Sequence, residues 1–182
     1  MSGSLTDLLL SGLRASDAPA FIDDQGALSR RAFEDDVASA LLQLRGWGLG
    51  PGARVALHGT LDRALAAAFV ACLLEGIVVV PLDAQLPVQR KQHMLVLANP
   101  ALLLDFANGE DLPWDGAVRR FTDGLRWPHT LAALDLLHIE SDEPCYVFFT
   151  SGTTGTPKGI LGRRGGLAAE EQRHDEAADQ RA

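Results

Sequence analysis

Residues 54–106 read RVALHGTLDRALAAAFVACLLEGIVVVPLDAQLPVQRKQHMLVLANPALLLDF. Three short β-rich runs alternate here with two stretches of helical character. Residues 54–58 (RVALH) predict a strand. Residues 61–75 are rich in Ala and Leu and predict a mostly buried helix, with Gly76 as its stop. Residues 77–82 (IVVVPL) form an apolar, largely β-branched run, the character of a strand covered on both faces in a parallel sheet. Pro87 suits the first turn of the next helix. Met94, Leu95 and Leu97 supply its apolar residues, and Asn99-Pro100 ends it. Residues 101–106 (ALLLDF) predict a further strand. Strand and helix in alternation imply an α/β layer with parallel strands.

Upstream, apolar residues fall at helical spacing after Ser29: Phe33, Val37, Ala40, Leu41 and Leu44. Ser29 is the expected N-cap, and Gly46, Gly48 and the Gly50-Pro51-Gly52 turn close the helix. Downstream, residues 107–143 carry Trp114, Trp127, Pro113 and Pro128 and predict a loop-rich excursion with one short helix at 131–137. Residues 146–150 predict a strand. Residues 168–182 (AAEEQRHDEAADQRA) hold no large apolar side chain, so a solvated helix or a disordered tail is expected there. The folded pattern therefore reads as residues 1–167, followed by a polar tail over 168–182.

Composition narrows the function. The 182 residues are 47% hydrophobic and 22% charged, with a formal net charge of −8. That balance argues against a general nucleic-acid binder, whose affinity rests on displacing counterions with basic density. Cys72 and Cys145 suggest no disulfide framework, and a reduced, cytoplasmic setting is expected. The apolar stretch 64–82 is interrupted by Glu75-Gly76 and predicts a helix and a buried strand rather than the run of about 20 apolar residues a membrane span requires.

The segment that carries chemistry is YVFFTSGTTGTPKG, residues 146–159. An apolar strand delivers the chain into a loop holding three glycines, five hydroxyl side chains and Lys158. Glycines let backbone N–H groups approach a ligand closely, and successive N–H groups in such turns form an anion-binding nest. Hydroxyls donate to phosphate oxygens without adding charge, and Lys158 adds a mobile cation. The Walker A pattern needs Gly-Lys followed by Ser or Thr at a helix start. Here Pro157-Lys158-Gly159 leads into Ile160-Leu161, which reads as a return strand. A polyphosphate loop in a strand–loop–strand setting follows, with a ligand-free hairpin as the alternative.

The string TSGTTGTPKG after YVFF resembles the signature loop of the adenylate-forming, or AMP-binding, superfamily. That superfamily includes acyl-CoA synthetases, luciferases and the adenylation domains of nonribosomal peptide synthetases. LLEGIVVVPLDAQLPVQRKQHML, residues 73–95, is similar to the family's helix–Gly–strand stretch, and its Pro81-Leu82-Asp83 and Leu86-Pro87 style is closest to peptide-synthetase adenylation domains. The resemblance covers residues 20–167. It implies the front part of the N-terminal subdomain of that α/β fold, a mostly parallel sheet with flanking helices. It also implies that the loop holds the β- and γ-phosphates of ATP, with magnesium in the parent family, while a carboxylate attacks the α-phosphate. By position, Thr150, Ser151, Gly152, Thr153, Thr154, Gly155 and Lys158 inherit phosphate contacts. Arg164 departs from the histidine often found there.

The family's adenine, ribose and metal-binding motifs, acyl pocket and catalytic lysine lie further downstream, and none matches here. Lys91 and Lys158 are the only lysines, and Lys91 belongs to the helix after Pro87. No catalytic or metal-binding residue and no prosthetic group is therefore expected. His58, His93, His129 and His138 read as structural or surface residues, and Asp83 as a loop-stabilising one. The chain reads as a fragment of an acid ligase that is inactive alone, with ATP phosphates and a separate chain supplying the rest of the domain as partners. The alternative is a non-catalytic binding module derived from the same fold.

Overall fold

The computed structural model describes residues 4–14, 16–23, 26–107, 112–120, 131–151 and 157–179. Six strands form the main sheet in the order β6-β5-β3-β4-β7-β8. They are β3 (Arg54–Gly59), β4 (Val78–Asp83), β5 (Leu102–Asp105), β6 (Val118–Arg120), β7 (Pro144–Ser151) and β8 (Pro157–Arg163). All neighbours run parallel except β7 and β8, which form an antiparallel hairpin. The α/β class and the mostly parallel sheet are as the alternation implied.

Helices α3 (Arg63–Leu74) and α4 (Val88–Ala98) cover opposite faces of this sheet. Strand side chains alternate between faces, and the burial divides accordingly. Val55, Leu57, Val79, Leu102 and Leu104 pack with α3. Ala56, Val80, Leu82 and Leu103 pack with Met94, Leu95 and Ala98 of α4. The helix after β3 therefore lies on one face and the helix after the adjacent β4 on the other. This makes β3 and β4 a topological switch point, where open α/β sheets place ligands beyond the carboxyl ends of the strands.

The helix limits have local causes. Helix α2 (Arg30–Gly46) starts where Ser29 accepts a hydrogen bond from the Ala32 amide at 3.2 Å. Asp62 accepts from the Leu65 amide at 2.8 Å and caps α3. Gly76 follows α3 with φ +72°, the left-handed conformation that glycine adopts without penalty. Pro87 is the N-cap of α4 rather than part of its first turn, and Asn99 ends the helix at φ 44°.

Three sequence expectations are corrected. Leu97 is half exposed, and the buried stripe of α4 is Lys91, Met94, Leu95 and Ala98. The helix expected over 131–137 is a single 3-10 turn, Leu131–Ala133. The stretch before Ser29, which yielded no element from sequence, carries helix α1 (Leu5–Gly12) and an antiparallel hairpin of β1 (Pro19–Asp23) and β2 (Gly26–Ser29). Ser4 and Asp7 form a reciprocal capping box at the start of α1. The hydrogen bonds from Ser4 hold the Asp7 carboxyl below its usual range.

Helix α5 (Arg164–Asp179) leaves β8 and runs through the composition change at Leu167. The Arg164 side chain is buried, and its guanidinium donates to the Leu73 carbonyl at 2.6 Å and to Thr6 Oγ1 at 3.0 Å. A cation at the last turn of α3 complements the helix dipole.

Both cysteines are buried. Burial pushes the Cys72 thiol well above its ordinary range. Burial also raises Cys145, with the Arg164 charge pulling the other way. The thiolate is the reactive form. Neither thiol is therefore expected to react with a thiol-specific dye in the native chain at pH 8, and both react in urea. Rapid labelling of either thiol in the folded chain would contradict their placement.

Candidate phosphate-binding hairpin

The candidate site stands on the β7–β8 hairpin at the carboxyl edge of the sheet. Register pairs Phe149 with Gly159, Thr150 with Lys158 and Ser151 with Pro157. Residues 152–156 join the two strands beyond that pair. The antiparallel strands on either side of that segment are as the sequence reading expected. Thr150 and Lys158 are exposed and sit opposite each other at the mouth of the hairpin. Gly152, Thr153, Thr154 and Gly155 lie outside the described residues, and Ser151 is described only as the end of β7.

The hairpin is built to be stiff at its base. Tyr146 pairs across the ladder with Gly162, and a Cβ on Gly162 would meet the Tyr146 ring at 1.9 Å. The glycine lets the ring lie flat over the neighbouring strand. Phe148 stacks beside it, with ring centroids 4.4 Å apart. On the other face Val147 and Phe149 pack against the α4 cluster.

Neighbouring strands bring further residues to the same edge. Val79 of β4 is level with Tyr146 of β7, and Asp83 is the last residue of β4. Asp83 Oδ1 accepts the Gln85 amide at 2.9 Å, the loop-stabilising role expected of it. Arg164 lies at the opposite edge, since β8 runs back past Pro144 before α5 begins. It is not among the groups at the loop.

Sequence reasoning missed one cluster at this edge. His58, Lys91 and Asp105 are joined by hydrogen bonds in the interior. His58, read from sequence as a structural or surface residue, is buried, and Asp105 Oδ1 lies 2.9 Å from its Nδ1. A signal was present in the sequence. Lys91 occupies the buried phase of α4, in step with Met94, Leu95 and Ala98, where a lysine is found only with partners. His138 is a surface residue 3.5 Å from Glu140, and His129 falls outside the described residues.

Two other features bear on the choice of site. Among the described residues no group of three His, Cys, Asp or Glu side chains could take a metal ion. An apolar cleft of about 400 Å³ opens between α1, α2 and α3, lined by Leu5, Leu9, Phe33, Phe69 and Leu73, with Arg30 its one charged lining residue. It lacks the convergent polar groups that orient a reacting ligand. No helix among the described residues is long and apolar enough to cross a membrane.

The donor set at the hairpin suits a polyphosphate: an exposed hydroxyl and an exposed ammonium flank the glycine- and threonine-rich loop. This setting stands at one end of a mostly parallel α/β sheet. Residues 11–181 match the family model described as AMP-binding enzyme, and the chain belongs to that family. It is 31% identical over 149 residues to surfactin synthase subunit 3 of Bacillus subtilis, covering 80% of this chain and 12% of that one. It is 32% identical over 169 residues to the L-proline--[L-prolyl-carrier protein] ligase of Pseudomonas fluorescens, covering 82% of this chain and 32% of the ligase. The chain thus spans a minor part of the length of these relatives.

Among solved structures it is similar to CmiS6, with a TM-score of 0.77 and 26% identity over 97% of this chain and 44% of that one. The N-terminal subdomain of Klebsiella oxytoca NpsA, in complex with 3-hydroxybenzoyl-AMSN, gives a TM-score of 0.73 at 20% identity. It matches 88% of this chain and 40% of its own. The fold is that of the N-terminal subdomain of adenylation enzymes.

Proposed function

We propose that this chain is the phosphate-binding front portion of an ATP-dependent ligase that activates an amino or acyl acid as its adenylate. The observation that carries the reading is the pairing of Thr150 with Lys158 at the mouth of the β7–β8 hairpin, in a chain of the AMP-binding family. ATP, with its magnesium, would supply the adenylyl group that the carboxylate takes up at the α-phosphate, the α–β phosphoanhydride bond breaking and pyrophosphate leaving. Thr150, Ser151, Gly152, Thr153, Thr154, Gly155 and Lys158 hold and neutralise the terminal phosphates. Substrate positioning comes from the rest of an adenylation domain, supplied by continuation of the same polypeptide or by a separate chain. On this reading the 182 residues alone bind polyphosphate but form no adenylate, because positioning is most of such catalysis. A cytoplasmic location, where ATP is plentiful, fits this role.

Calorimetric titration with tripolyphosphate, ATP and GTP tests the proposal. The three ligands are expected to bind with similar, weak affinity. Lys158→Ala is expected to weaken all three by roughly tenfold, the loss of one charge-assisted hydrogen bond. An unchanged affinity for Lys158→Ala would remove the loop from the site. A clear preference for ATP over tripolyphosphate would reveal a base-binding surface within these residues.

A further inference from the structure

Helix α3 (RALAAAFVACLL) is apolar on nearly every side, and a helix of that kind is normally covered all round. The sheet and α2 cover most of it. Phe69 and Val70 are only half-buried, and they open onto the apolar cleft of about 400 Å³. Leu5, Leu8 and Leu9 of α1, spaced for one helix face, form another wall. The volume falls in the range of small-molecule sites, about 300–1,000 Å³.

Arg30, the first residue of α2, is the one polar side chain in the lining. It is exposed, and among the described residues no acidic side chain pairs with it. Glu34, one helical turn further on, is committed instead to the Leu131 amide, which it accepts at 3.2 Å. Asp17 lies with Arg31, at 3.9 Å. The first three amides of α2 are also spent. Arg30 and Arg31 donate theirs to the carbonyls of Ala18 and Ser16, and Ala32 donates to Ser29 Oγ. The Arg30 guanidinium is therefore the group in the lining that can meet a charge, and its fork of donors suits a carboxylate. The positive end of α2 adds a field of the same sign.

We propose that this cleft is a binding site for an apolar monocarboxylate of medium chain length, its body among the leucines and phenylalanines and its head on Arg30. The proposal does not depend on the phosphate reading. The lining comes from α1, α2, α3, the start of β1 and Leu167, and no residue of β7 or β8 contributes. No lining side chain can attack the acid or give it a proton at neutral pH, so the cleft holds the acid and does not convert it.

The test titrates the full 182-residue chain with sodium decanoate below its micelle concentration, by calorimetry and by methyl resonances. Decanoate is expected to saturate one site per chain and to shift the methyls of Leu9, Val70, Leu73 and Leu167. Octanoate is expected to bind roughly fifteenfold more weakly, about fourfold for each methylene removed. Arg30→Gln is expected to weaken decanoate by roughly fivefold, the range of an exposed charge pair, and to leave decanol unchanged. Gly12 lines the cleft, and a Cβ placed there meets nothing within 4 Å. Gly12→Leu is therefore expected to fold, to fill the space and to weaken decanoate and decanol alike by roughly tenfold. If it does not fold, Phe69→Trp is measured in its place. Absence of saturation overturns the proposal, and so do shifts centred on Ile160 and Leu161 of the β7–β8 hairpin. Decanoate affinity left unchanged by Arg30→Gln, or by the folded filling variant, overturns it as well.

Discussion

Asp105→Ala is expected to cost about 1–3 kcal/mol of folding stability, the usual result of leaving a buried polar group without its hydrogen-bond partner. The loss arises at the His58 ring, which is fully buried and loses the carboxylate oxygen 2.9 Å from its Nδ1. The Ala107 amide loses the same carboxylate oxygen. Against a total of about 5–15 kcal/mol for a domain, this single change removes a sizeable share of the stability. Urea denaturation followed by circular dichroism measures it. A cost under about 1 kcal/mol, the range of exposed pairs, would mean that the His58–Asp105 pair is solvated rather than enclosed.

The second large effect concerns association. Phe148 and Ile160 are a cross-strand pair, 44% and 52% exposed, and Leu161 is 53% exposed beside Val147 on the opposite face. They lie on the last two strands of the sheet, and β8 forms its edge. An apolar edge strand with unpaired backbone groups is a template for another chain. The purified chain is therefore expected to self-associate with rising concentration, eluting above its 19.5 kDa mass. Replacing Phe148 and Ile160 together by threonine keeps β-propensity and removes the apolar area. At about 25 cal/mol per Å², that loss is enough to shift the population strongly toward monomer. Light scattering across a concentration series decides the matter. A monodisperse monomer of the unaltered chain at high concentration would mean that this face needs no cover.

What the sequence made legible was set by periodicity and by punctuation. Residues 77–82 declared a strand buried on both faces because no polar residue interrupts them, and the observed strand is so buried except at its rim. Ser29 marked a helix limit through its hydroxyl and Gly76 through its backbone freedom. The hairpin around the glycine- and threonine-rich segment was legible because Pro-Lys-Gly followed by Ile-Leu cannot open a Walker-type helix. Less legible was anything that depends on distant partners. The capping box of Ser4 and Asp7 is a weak local pattern without a long apolar run after it. The β1–β2 hairpin has only four- and five-residue strands, too short for alternation to speak. The His58–Asp105 pair links residues 47 positions apart, and their meeting depends on β3 and β5 being neighbours, which strand order alone decides. Lys91 was the one member with a local signature, a lysine in the buried phase of a helix.

The Arg164 contact with Thr6 sets an order of events during synthesis. The two residues are 158 positions apart. At about 5–20 residues per second, a ribosome needs about 8–30 s to deliver Arg164 after Thr6 has been made. In that interval β3, β4 and β5 emerge with α3 and α4 and have time to close the central layer, since hairpins and helices form in microseconds. Helix α1 must wait beside an unfinished face for its last partner. Helix α1 is thus translated before α2, α3 and α4 and is among the last to be locked. A nascent chain halted before Arg164 would carry α1 without its anchor, open to capture by a chaperone.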